Sequence, residues 1–196
     1  MKKLRGLYAI TPQAAALEAK VRLALEGGIA LLQYRGKPGN LAEAKRIVRL
    51  AGEYGVPVIV NDDVDLALEA GAAGAHLGRA DGDWQAARGR LRAKIFGVSC
   101  YDDLELGRRG VAARADYVAF GSVFPSPTKP DAVRAPLELF RQAKSLGVPL
   151  AAIGGITLGN APQLIAAGAD LLAVITDLFE APDIRQRARD YGRLFA

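Results

Sequence analysis

Along the chain, short apolar or β-branched runs alternate with longer segments of helical period, and the alternation continues from end to end. The runs predict strands over 6–10, 30–34, 57–60, 74–77, 95–98, 117–120, 149–153 and 171–175. The intervening 3.6-residue patterns predict helices over 13–26, 41–54, 64–70, 84–91, 103–113, 136–145, 161–167 and 184–194. Small-residue entries recur before the even-numbered strands, as GGIALLQ, AGAAGAHL, AARADYVA and AAGADLLAV. Eight short βα units that repeat in this way predict one closed parallel sheet, a compact (β/α)8 TIM barrel occupying residues 1–196 as a single domain. A doubly wound open sheet would show the same alternation, and the count of eight favours closure. The one long connection is GSVFPSPTKPDAVRA, residues 121–135, a length that in compact domains belongs to lids and binding loops.

Composition narrows the chemistry. With 196 residues, 51% of them hydrophobic and 24% charged, the chain can bury a substantial core, and no apolar run approaches the roughly 20 residues of a membrane span. No charged-then-apolar leader opens it, so the expectation is a cytoplasmic protein with no membrane partner. One cysteine, Cys100, and one histidine, His76, exclude an internal disulfide and a Cys/His zinc cage, so any metal must sit on carboxylates. His76 lies in an apolar strand with nothing titratable close to it in sequence and reads as a packed strand residue. Trp84 and the other aromatics read as packing. The net charge of +5 favours anionic partners, either phosphorylated small molecules or nucleic acid.

The polar residues decide between these by gathering directly after the predicted strands. Gln33–Lys37 follow the second, Asn61–Asp63 the third, Gly78–Asp81 the fourth and Ser99 the fifth; Ser126, Thr128 and Lys129 follow the sixth, Gly154–Gly155 the seventh and Thr176–Asp177 the eighth. In a barrel all of these share the C-terminal face, where this fold builds its active sites. Arg35, Lys37 and Lys129 can surround a diphosphate. Asp62 and Asp81, on neighbouring loops, can converge on a hard cation such as Mg2+, which also takes phosphate oxygens. Asp63 instead caps the helix that starts at Val64. A cation-bridged diphosphate is a neutralised leaving group whose departure needs positioning and electrostatics rather than a protein nucleophile. Gly154–Gly155 and the backbone of Ile175–Thr176 suggest a second phosphate site. The basic stretches Lys45–Arg46–Arg49 and Arg185–Arg187–Arg189 read as solvated helix faces. Without an interleaved aromatic platform they do not mark a nucleic-acid groove.

An ordered series of segments, LYAITP, QYRGK, VNDDVDLALEAGAAGAHLG, GVSCYDDLE, DYVAFGSVFPSPTKP, AIGGIT and GADLLAVI, resembles the thiamine-phosphate synthase family over nearly the whole chain. The resemblance implies a (β/α)8 barrel that joins a pyrimidine diphosphate to a thiazole phosphate, with homo-oligomers possible. It implies contacts from Gln33, Tyr34, Arg35, Gly36, Lys37, Asn61, Ser99 and Lys129 to the pyrimidine diphosphate, with Arg35, Lys37, Ser99 and Lys129 assisting catalysis. Mg2+ would rest on Asp62 and Asp81, and the thiazole phosphate would meet Ser126, Pro127, Thr128, Gly155, Ile175 and Thr176. Three positions depart from the family's commonest pattern: Gly36 stands where an acidic residue is frequent, Arg79 where glutamine is, and Ser126 where threonine is. A related barrel group aromatises the thiazole phosphate as a tautomerase and has no use for Asp62, Asp81 and Lys129 together.

Overall fold

The computed structural model describes residues 4–36, 40–125 and 133–196. Eight strands, β1 (Gly6–Ile10), β2 (Leu31–Tyr34), β3 (Val58–Asn61), β4 (Gly74–Leu77), β5 (Ile95–Tyr101), β6 (Tyr117–Phe120), β7 (Leu150–Ile153) and β8 (Leu171–Val174), form a closed barrel in sequence order. Every neighbouring pair is parallel, and β8 closes onto β1 with Gly6 opposite Leu171 and Ala9 opposite Val174. The helices between them are α1 (Leu17–Glu26), α2 (Leu41–Gly52), α3 (Val64–Glu69), α4 (Trp84–Leu91), α5 (Leu104–Ala112), α6 (Leu137–Ala143), α7 (Ala161–Ala167), α8 (Thr176–Phe179) and α9 (Ile184–Arg193). The predicted (β/α)8 architecture is therefore the observed one.

Two apolar layers follow from the two-residue period of the strands. One set of alternate side chains, including Tyr8, Ile10, Leu31, Ile59, Tyr117, Ala119, Ala151, Leu171 and Ala173, fills the lumen. The other set, including Leu32, Tyr34, Val58, Val60, Phe96, Val98, Phe120 and Leu172, packs against the helices. The helices present the matching stripe, as α2 does with Ala44, Ile47, Leu50 and Ala51. Loops leaving four of the strands, and the link from α8 to α9, end in side chains that accept from the first helical turn: Asn40, Asp63, Asp83 and Asp103, and then Asp183. Such a cap contributes on the order of 1 kcal/mol and fixes where each loop stops.

The predicted bounds differ from the observed ones where no period exists to read. The first helix starts at Leu17 rather than 13, β5 runs on to Tyr101, and α8 is a single turn of four residues where the sequence shows only a strand exit. No helix among the described residues is long and apolar enough to cross a membrane.

Candidate active site

The lumen carries a continuous polar chain just inside the C-terminal strand ends. Gln33 Nε2 donates to Tyr8 Oη at 2.6 Å, Tyr8 Oη lies 2.7 Å from Tyr117 Oη, Tyr117 Oη lies 2.8 Å from His76 Nδ1, and His76 Nε2 lies 2.8 Å from Ser99 Oγ. Five strands contribute one residue each: β2, β1, β6, β4 and β5. The Tyr8 and Tyr117 rings meet edge to face at 5.7 Å, and His76 stacks on Tyr117 at 5.5 Å. Gln33 and His76 are buried, and burial lowers the His76 imidazole to about 4, so it is neutral near pH 7. The two phenols are pushed well above their ordinary range by the same cause and remain protonated.

At the mouth beside this chain, Asp62 leaves β3 with φ at +61°, a left-handed conformation that aspartate tolerates better than most residues. Its N–H donates to the His76 carbonyl at 2.8 Å, and one carboxylate oxygen accepts from Asn61 Nδ2 at 2.5 Å. Asp81 arrives from the loop after β4, where its Oδ2 accepts from Gly78 N–H at 2.6 Å and the Trp84 indole clamps the same turn by donating to the Gly78 carbonyl at 3.1 Å. Partial burial and the neighbouring Asp81 carboxylate raise the Asp62 carboxyl to about 6, against an opposing pull from Arg35. Two convergent carboxylates that repel each other and present only hard oxygen donors fit Mg2+, which needs one or two carboxylates and fills its remaining positions with phosphate oxygens and water. Among the described residues there is no larger group of His, Cys, Asp and Glu side chains suited to a metal. A cleft of about 610 Å³ opens here, with Arg35, Asn61, Asp62 and Asp81 in its wall.

Asp63 accepts from Leu66 N–H at 2.8 Å as the cap of α3, as the sequence predicted. Arg35 is exposed at the mouth, its backbone N–H anchored to Thr11 Oγ1 at 2.8 Å. Arg79 lies over the Tyr101 ring at 5.4 Å, so its extra charge is seated at the end of β5. Cys100 is buried with its thiol pushed up to about 12, which leaves it no part as a nucleophile.

Two of the predicted site residues have surroundings that the sequence did not show. Tyr34 stands in the wall of the cleft with its ring turned into the sheet–helix layer, where its Oη donates to Glu43 Oε2 at 2.6 Å. A Cβ on Gly36 would sit 1.9 Å from the Tyr34 hydroxyl, so a larger residue at this position would require that hydroxyl to shift. Gly155 has φ at +62°, and a Cβ on it would meet the Pro125 carbonyl at 2.3 Å, so the glycine makes room for the 121–125 segment. That segment pairs with β7 and its exit through Val123 N–H to Ile153 O and Phe124 N–H to Gly154 O. Ile175 and Thr176 stand at the start of α8, which is locked to α9 by the Tyr191 hydroxyl and the Arg187 guanidinium on Asp177 Oδ2, at 2.8 and 2.7 Å. Lys37, Ser126, Pro127, Thr128 and Lys129 lie outside the described residues.

The sequence reading missed Tyr8, Tyr117 and the polar engagement of His76. Strand alternation places all three on the lumen side with Gln33 and Ser99, and that shared parity was the available signal.

Comparison with known proteins points one way. The family model described as thiamine monophosphate synthase matches residues 7–178. The thiamine-phosphate synthase of Aromatoleum aromaticum is 57% identical over 98% of this chain and 97% of its own, and that of Azoarcus sp. is 54% identical over 100% and 99%. Among solved structures, a thiamine phosphate pyrophosphorylase from Pyrococcus furiosus superposes with a TM-score of 0.89 at 34% identity, covering 98% of this chain and 96% of that one. A 3-hexulose-6-phosphate synthase, at 18% identity and a TM-score of 0.74, shares the fold alone.

Proposed function

The chain belongs to the thiamine monophosphate synthase family and carries that family's transferase function, and from this we propose that it condenses 4-amino-2-methyl-5-(diphosphooxymethyl)pyrimidine with a thiazole phosphate, giving thiamine phosphate and diphosphate. The observation that carries the reading is the convergence of the Asp62–Asp81 carboxylate pair with Arg35 at the strand ends that also hold Gln33 and Ser99. A carboxylate pair beside a guanidinium suits a metal–diphosphate group better than a bare anion, which the two carboxylates would repel.

In this mechanism the C–O bond to diphosphate breaks first, and the aminopyrimidine ring stabilises the methylene cation left behind. The thiazole nitrogen then attacks that carbon with its lone pair. Asp62 and Asp81 would hold Mg2+, whose chemistry there is to neutralise charge on the departing diphosphate. Arg35, with Lys37 and Lys129 assigned by resemblance, adds further positive charge against the same oxygens as the bond lengthens. Asn61 and Ser99 orient the pyrimidine diphosphate at the lumen edge. Gln33 presents its remaining amide oxygen to the aminopyrimidine. No base is needed, and the neutral, doubly engaged His76 is in keeping with that. The backbone around Gly155 and the Ile175–Thr176 turn, with Ser126–Thr128, is assigned to the thiazole phosphate. Charged, phosphorylated substrates of this kind suit an enzyme of the cytoplasm.

The test is to mix purified protein with both phosphorylated heterocycles and Mg2+ and to follow thiamine phosphate and diphosphate together. Equal amounts of the two are expected. Formation of neither by folded protein on authentic substrates would overturn the assignment.

A further inference from the structure

The five lumen side chains are joined by four contacts, and each hydroxyl or imidazole within the chain has one proton to give. Only two polarities place every proton within the chain on one of its acceptors. In one, Gln33 donates to Tyr8, Tyr8 to Tyr117, Tyr117 to His76 Nδ1, and His76 Nε2–H to Ser99, which leaves the Ser99 proton unused. In the other the Gln33 amide is turned so that its oxygen accepts from Tyr8, the remaining donors are reversed, Ser99 donates inward, and only lone pairs of its oxygen face the mouth.

We propose that the chain runs from Gln33 to Ser99, holding His76 as its Nε2–H tautomer so that the Ser99 hydroxyl is left as a proton donor directed at an anionic ligand in the mouth. Tyr8, Tyr117 and His76 are then positioning residues that act through Ser99. Three observations support this direction. The amide nitrogen of Gln33 faces Tyr8 at 2.6 Å, so the chain begins with a donor that cannot accept. At His76 the forward direction pairs the more acidic hydroxyl, a phenol, with the imidazole lone pair, and pairs the imidazole N–H with an aliphatic oxygen, a better acceptor than a phenolic one. The reverse direction makes the poorer match at both nitrogens. Finally, an outward lone pair on Ser99 would repel a phosphate oxygen, whereas an outward proton makes a charge-assisted hydrogen bond to it. This last argument rests on the function proposed above, while the first two do not.

His76 is the one histidine among 196 residues, so protein labelled with 15N-imidazole histidine gives a spectrum of this residue alone. At neutral pH the long-range 1H–15N pattern is expected to show a protonated Nε2 and a bare Nδ1. An Nδ1–H pattern, an even mixture of tautomers, or an imidazolium would overturn the proposal, and this measurement needs neither substrate nor a variant. In Tyr117→Phe the chain is cut next to the ring, and the tautomer is expected to become mixed; an unchanged pattern would show that polarity is not transmitted along the chain. The kinetic counterpart is non-additivity. Ser99→Ala and Tyr117→Phe should each lower kcat roughly tenfold or more with less change in KM, the scale of a lost hydrogen bond to a charged group. The double variant should be no slower than Ser99→Ala. Multiplying losses would overturn the role of Tyr117 through Ser99, and an inactive wild-type protein with the expected tautomer would count against the proposed reaction while leaving the chain's polarity in place.

Discussion

A neutral histidine sealed in the barrel makes stability depend on pH in a calculable direction. His76 titrates at about 4 in the folded protein against an ordinary 6.5, because burial penalises the imidazolium. Between those values the unfolded chain binds a proton that the folded one refuses. The contribution is therefore intact above pH 6.5 and is lost as pH falls toward 4. Integrated from pH 7.5 to pH 5, the loss is about 2 kcal/mol. Asp62, raised from 3.8 to about 6, works the other way, since the folded state takes up its proton first and gains stability as pH falls. Comparing wild type with His76→Asn removes that opposing contribution, which is common to both. Urea unfolding at the two pH values, followed by the fluorescence of Trp84, the only tryptophan, gives the required differences. Wild type should lose about 2 kcal/mol more than the variant on going to pH 5. An equal loss in both proteins would mean that His76 is hydrated or already charged, and the reasoning from burial would fail.

Three further outcomes follow from the site. Asp62→Asn and Asp81→Asn should each lower turnover roughly tenfold or more and move the Mg2+ requirement upward, whereas Asp63→Asn should change little because asparagine keeps the oxygen that caps α3; rates measured across a Mg2+ titration decide, and an unshifted requirement in the first two variants reduces those carboxylates to turn formers. Gly155→Val forces a β-branched residue to φ +62° against the Pro125 carbonyl, so it should cost roughly 1–3 kcal/mol by thermal unfolding and raise KM for the thiazole phosphate first; a melting temperature equal to wild type would contradict the crowding. Tyr34→Phe loses one bond to Glu43 and should cost about 1 kcal/mol with KM for both substrates nearly unchanged, and a large rise in KM for the pyrimidine diphosphate would return the hydroxyl to the ligand site.

The barrel was legible because its signals are local and repeated. The bounds of β4, α4 and α7 read from the sequence are those observed, since each is a periodic run closed by a small residue or a capping aspartate. The same locality exposed Asp63 as a cap, three residues from the N–H it accepts. The turn at Thr176–Phe179 escaped because four residues carry no period. The Tyr8–Tyr117 contact escaped for a different reason: 109 residues separate the two, and their meeting depends on how far each strand is displaced along the barrel. Side-chain parity says that both enter the lumen, and only the register says that they touch.

Tyr34 shows how far direction can be read once the sheet is assumed. In the sequence LLQY, Leu31 and Gln33 share one face and Leu32 and Tyr34 the other. A lumen position for Gln33 therefore obliges the Tyr34 ring to leave the barrel, and there it finds α2 and the Glu43 carboxylate. Its hydroxyl then occupies the space that a side chain on residue 36 would need, so the outward turn of one residue couples it to its neighbour two places on. Likeness to a family assigns a position to the ligand, but the two-residue period assigns the side chain to a face. At Tyr34 the two are compatible: the residue stays in the cleft wall while the pleat fixes its ring outward, because moving that ring into the lumen would also carry Gln33 out of it and break the hydrogen-bonded chain at its first link.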